Sequence, residues 1–187
     1  MDHGDLPLAH RLVLAMLGAN GKETVPRKLW LQKELFYLAR DKPKMRADLE
    51  FIPYLQGPWS EATENALVDL RTLGLVDFDP KYGSDLRLTA SGSTLHAELA
   101  KTMPPTLAKE VDEVKALMND LSENELLLLV YETYPEMTKG SVVKEKAILD
   151  RVRYALRLYQ KEKVSLERAS ELAALPMKEF RRVAMAS

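Results

Sequence analysis

In the stretch VSLERASELAALPMKEFRRV, residues 164–183, Lys178, Arg181 and Arg182 lie three and four positions apart. On a helix the three side chains share one face. Ammonium and guanidinium groups set out in this way meet phosphate oxygens, and arginine can also bridge the acceptors on a base edge. Lys163 and Arg168 come just before them and would approach a flanking nucleic-acid backbone. The chemistry on offer is recognition of a polyanion. The same residues also read as a solvated basic face on a helical hairpin that packs against the rest of the chain.

Other chemistries find little support. With no cysteine there is no disulfide, thiolate metal site or cysteine nucleophile. His3, His10 and His96 are scattered, without a second ligand at metal-binding spacing, so they read as surface groups and no metal is expected. No glycine run cradles phosphate and no serine sits in a nucleophile elbow. Trp30, Phe36, Tyr37, Phe51, Tyr54 and Trp59 read as core more readily than as a ligand pocket. The expectation is a non-enzymatic chain without a cofactor.

The charge distribution agrees with a polyanion partner. The net charge of the 187 residues is -1, but residues 1–138 carry 15 Lys and Arg against 22 Asp and Glu, whereas residues 139–187 carry 12 against 6. Such segregation turns the tail toward an anionic partner, nucleic acid being the commonest, or toward an acidic protein surface. Hydrophobic residues make up 46% and charged residues 29%, the balance of a soluble domain. No run is long enough to span a membrane, and the start has acids where a secretory signal is basic, so a cytoplasmic protein is expected.

The elements that must position the tail begin with Leu8, Leu12, Ala15 and Met16 at helical spacing, in a helix stopping near Gly18 to Gly21. Pro26 suits the start of a second helix running to about Ala39. After a turn at Gly57-Pro58, Ser60 caps a third, buried through Ala62, Ala66, Leu67, Leu70 and Leu73 and ended by Gly74. Leu75, Val76 and Phe78, the turn residues Pro80, Gly83 and Ser84, then Leu86 and Leu88 predict a β-hairpin. A further helix starts near Ser91. This order predicts a mainly α fold: a winged helix-turn-helix with one β-hairpin, followed by a helical C-terminal region ending in a helix-turn-helix.

The third helix is a poor DNA reader, because Glu61, Glu64 and Asp69 face solvent against a single Arg71. Thr63 and Asn65 are its only base-contact candidates, and Lys81 and Arg87 are the candidate wing contacts. Beyond the winged body, Met103-Pro104-Pro105 breaks the chain before TLAKEVDEVKALMNDL, and Ser122 with Glu125 forms a capping box for the next helix. From Ser141 one long helix is expected, with Leu149, Val152, Ala155, Leu156 and Tyr159 on its apolar face and Lys146, Arg153, Arg157 and Lys161 on the other. The expected segments are 1–101, connecting helices over 102–140, and 141–187.

The segments KLWLQKELFYLAR, FIPYLQGPWSEATENALVDLRTLGLVDF and LRLTASG resemble the small uncharacterised prokaryotic winged-helix proteins typified by YwgA. That family has a leucine-rich helix ending in GL, a hairpin ending in LT-x-x-G, and an aromatic-Tyr-Gly-Pro-Tyr-Ser turn, read here as Leu55, Gln56, Gly57, Pro58, Trp59 and Ser60. The resemblance covers about residues 8–135 and implies a regulatory or partner-binding role. The tail is similar to the helix-turn-helix of a short family of predicted prokaryotic antitoxins, through Ser165, Leu166, Ala169, Glu171, Leu172, Ala173, Glu179 and Phe180. It departs from it at Ala174, where glycine is usual, and at Pro176, where a capping hydroxyl is usual. Together these imply a transcriptional regulator, antitoxin-like, whose tail contacts DNA while the winged body mediates dimerisation or holds a partner protein such as a toxin. The alternative is an interaction protein that never touches DNA.

Overall fold

A computed structural model describes residues 6–79 and 81–186, and of Ala147 the backbone alone. The chain is mainly helical with a small antiparallel sheet, and it divides into two compact units. The first comprises Met1–Ile52 and Trp59–Asn119, the second Pro53–Pro58 and Asp120–Ser187. The connecting helices expected as a separate segment over 102–140 are therefore shared between the units.

In the first unit α1 (Leu8–Lys22) supplies the central core through Leu12, Val13, Leu14, Met16 and Leu17, all buried. Its helical geometry stops at Gly18, because Ala19 is extended and Asn20 and Gly21 are left-handed. Three residues on one face of α6 (Pro105–Met118 and the cap that follows) hold this end in place. Asp112 accepts the Asn20 backbone N–H at 3.0 Å, Asn119 donates to the Thr24 carbonyl at 2.9 Å, and the buried Lys115 ammonium donates to the carbonyls of Ala19 at 3.1 Å and of Glu23. Lys115 thereby satisfies carbonyls that the broken helix leaves without partners.

Pro26 does not open a helix. It lies in strand β1 (Val25–Arg27), and α2 (Lys28–Ala39) starts after it. β1 pairs with the hairpin, so the sheet has three strands rather than two. Pairing of Val25 with Leu86 buries both side chains, a gain that outweighs the local preference of proline for a first helical turn. Next come α3 (Pro43–Leu49) and a small hairpin, β2 (Ile52–Tyr54) and β3 (Gly57–Trp59), in place of the simple turn expected at Gly57-Pro58. Ser60 caps α4 (Glu61–Thr72) by accepting the Thr63 N–H at 3.1 Å. Its own backbone is clamped by Gln32 of α2, whose side-chain amide donates to the Ser60 carbonyl at 3.1 Å and accepts its N–H at 2.9 Å. Leu73 belongs to the exposed end of α4, not to its buried face, which is Thr63, Ala66, Leu67 and Leu70.

The edge strand β4 (Val76–Asp79) and the central strand β5 (Ser84–Leu88), which pairs with both β1 and β4, lead into α5 (Ala90–Thr102). Thr89 caps α5, accepting from Gly92 N–H at 3.1 Å while donating to the Gly74 carbonyl at 2.7 Å. Gly92 itself sits under the Leu75 backbone, where a β-carbon would lie 1.8 Å from the Leu75 oxygen. The GL and LT-x-x-G motifs are thus two halves of one backbone contact.

In the second unit α7 (Glu123–Thr133) opens with the capping box of Ser122 and Glu125 and is followed by a 3-10 turn over Pro135–Thr138. The single helix expected from Ser141 is instead two, α8 (Lys144–Leu149) and α9 (Arg151–Gln160), interrupted at Asp150. The restart turns Tyr154, Ala155 and Leu158 inward, whereas Leu149 is 82% exposed. A strict continuation would have put the stripe containing Leu149 in the core. Two short helices close the unit, α10 (Leu166–Ala173) and α11 (Met177–Met185).

Candidate nucleic-acid interface

The turn between α10 and α11 is defined by where its backbone hydrogen bonds go. Ala174 is left-handed, at φ 52°. Leu175 N–H donates to the Ser170 carbonyl at 3.0 Å and Ala174 N–H to that of Glu171 at 2.9 Å, the paired bonds of a Schellman motif. At the other end, Ser165 caps α10 by accepting the Arg168 N–H at 3.2 Å. Ala169 is fully buried, and its methyl group leaves room for close packing along α10.

α11 buries one residue completely, Phe180, whose ring meets Tyr159 of α9 edge-on at 6.3 Å between centroids. Lys178, Arg181 and Arg182 are all exposed. At the helical repeat they project from the side opposite Phe180 and Val183, with the exposed Met185 among them. This brings together three of the five residues expected to contact DNA. Arg181 also lies near Glu167, whose carboxyl is held below its usual range chiefly by its own backbone N–H and Ser165, with a smaller contribution from Arg181.

The other two have structural partners. Lys163 pairs with Asp120 at 3.0 Å. Arg168 reaches Glu171 at 2.7 Å and donates to Thr133 Oγ1 at 2.6 Å. Asp120, just before α7, thus offsets part of the basic excess of the tail, which a count along the sequence leaves unopposed. Arg153 and Arg157 lie on the expected basic face, but Lys161 is paired with Glu125.

In the first unit the wing candidates differ in availability. Arg87 is held by Asp77 across the hairpin at 2.5 Å, whereas Lys81 is exposed, with its ammonium 4.9 Å from the Tyr82 ring centroid. Thr63 is buried, which removes it as a base contact; Asn65 is exposed. Glu61 and Asp69 face solvent, and Glu64 pairs with Lys28. Arg71 lies over the Phe78 ring at 4.8 Å.

Of the aromatic residues, Trp30 and Phe36 are buried, but Tyr54 is about half exposed. His10 approaches Asp69 at 3.2 Å and His96 lies against Gly18; His3 falls outside the described residues. Among the described residues no cluster of metal ligands occurs, and no helix is long and apolar enough to cross a membrane.

No protein-family model matches the chain, and neither a curated protein nor a solved structure matches it.

Proposed function

We propose that the chain is a DNA-binding transcriptional regulator, antitoxin-like, in which α10 and α11 act as a helix-turn-helix and α11 enters the major groove. The observation that carries this reading is the outward array of Lys178, Arg181 and Arg182 on a short helix anchored by Phe180. The first unit is read as a winged helix, with support from the order α1, β1, α2, α4, β4, β5 and from β1 completing a three-stranded sheet. Its α4 stands where such a domain carries its reading helix, yet it offers Glu61 and Asp69 to solvent beside the exposed Val68. Those groups repel phosphate and suit a protein surface, so this unit serves dimerisation or a partner such as a toxin.

The test is fluorescence anisotropy of the full chain with duplex DNA across a salt series. Affinity falls as salt rises, and the double variant Arg181→Ala, Arg182→Ala lowers the slope by about one unit for each phosphate no longer neutralised. Salt-sensitive binding with the same slope in the variant would remove α11 from the interface. No binding even at low salt would leave the chain as an interaction protein, the reading favoured by the α4 surface.

A further inference from the structure

The Schellman bonds at the end of α10 cover the carbonyls of Ser170 and Glu171, but the next one, Leu172, has no main-chain partner in that motif. It is taken by a side chain from another helix. Arg151, at the start of α9, donates from Nε to the Leu172 oxygen at 2.7 Å. The same guanidinium pairs through Nη2 with Glu132 near the end of α7. Both side chains of the ion pair are about three-quarters buried, at 23% and 25% exposure.

We propose that Arg151, fixed by Glu132, is a positioning residue for the DNA-contacting helix. This rests on the function proposed above. The physical case is one of leverage. Only Ala174, Leu175 and Pro176 separate α10 from α11, so the orientation of α11 is set by the backbone of this turn. Ala174 holds a left-handed conformation that an L-residue adopts at a cost, and the turn therefore needs support from outside itself. Arg151 gives that support at the carbonyl of Leu172, close before the turn, by a charge-assisted bond within a planar fork whose other arm is fixed. Arg168 adds a second tie through Thr133, the residue after Glu132, but it grips the first turn of α10 and not its end.

A positioning group differs measurably from a phosphate ligand. Arg151→Ala is expected to weaken duplex binding about tenfold or more while leaving the slope of log affinity against log salt unchanged, because the number of counterions released stays the same. Arg181→Ala lowers the slope. Arg151→Lys keeps a positive charge beside Glu132 but not the two-armed geometry, and is expected to fall between Arg151→Ala and the unsubstituted chain. Amide hydrogen exchange of the same proteins without DNA supplies the second readout: Arg151→Ala should speed exchange over residues 174–180 more than over α7. Unchanged affinity, or a slope reduced as in Arg181→Ala, would overturn the proposal. If the full chain binds no duplex, the DNA reading fails on its own, and exchange over 174–180 no faster in Arg151→Ala would overturn the positioning role separately.

Discussion

Lys161, the residue that follows α9, places its ammonium 2.8 Å from the Glu125 carboxylate at the start of α7, and Glu125 is 1% exposed there. Desolvation alone would push this carboxyl up. The hydrogen bonds from Lys161 and from the backbone and hydroxyl of Ser122 together outweigh it, so Glu125 stays below the usual carboxylate range. A depressed carboxylate stabilises the fold above its unfolded pKa, and that contribution is lost as pH falls through the lower, folded value. Lys161→Met should therefore destabilise the chain by about 1–2 kcal/mol near neutrality and by less in acid. Denaturant titrations at several pH values check this; an equal loss at every pH would mean that the ion pair contributes only packing.

Ala174 carries, in its left-handed backbone, a β-carbon that glycine lacks. Ala174→Gly should stabilise the chain by about 1 kcal/mol, because a Schellman turn favours glycine at this position. The midpoint of urea unfolding reads the change. A fall in stability would show that the packing of the alanine methyl outweighs the strain.

Lys33 and Glu34 are adjacent on α2 and both buried. Burial raises Glu34 to about 8, a rise that the Lys115 charge opposes and Glu23 adds to; burial lowers Lys33 to about 7. From pH 4.5 to about 8 the folded chain keeps a proton on Glu34 that the unfolded chain releases, so stability falls across that window. From about 7 to 10.5 folded Lys33 is neutral while its unfolded form stays charged, so stability rises. The expected profile has a trough near pH 7–8. Glu34→Gln should remove the acid-side descent, on the order of 5 kcal/mol, and Lys33→Met the alkaline-side rise. Paired stability curves of the two variants separate these limbs.

Two glycines make unequal demands. A β-carbon on Gly92 meets the Leu75 backbone, which cannot step aside, whereas one on Gly18 lies 2.3 Å from the half-buried His96 ring, which can rotate. Gly92→Ala should cost about 3 kcal/mol or more and Gly18→Ala about 1 kcal/mol. Thermal unfolding ranks them. Adding His96→Ala should recover most of the loss at Gly18 and none at Gly92.

Local signals are readable where one short segment carries its own physics. Ser60 and Ser122 each act within a few residues, and their caps follow from side-chain type and position. β1 is hidden because three residues become a strand only when Leu86, far along the chain, supplies the partner. The break at Asp150 is hidden for a similar reason, since the helical pattern continues through it and only packing selects the stripe carrying Tyr154 and Leu158. At the candidate interface, the exposed trio on α11 is legible from spacing. The engagement of Lys163 by Asp120 and of Arg168 by Thr133 is not, because those partners lie 43 and 35 positions away. Arg151 gives no signal at all: one partner is a carbonyl, which every residue possesses, and the other, Glu132, lies 19 positions away.

The six residues Pro53–Pro58 belong to the second unit although both flanks belong to the first. The polypeptide consequently passes from one unit to the other three times, after Ile52, after Pro58 and after Asn119. No single cleavage yields both units whole. A fragment starting at Asp120 lacks Leu55, whose carbonyl accepts the Val142 N–H at 3.0 Å, and Gln56, whose amide donates to Glu123 at 3.2 Å. Dissection of this protein into separately expressed halves would have to supply that hexapeptide in trans or graft it back by circular permutation.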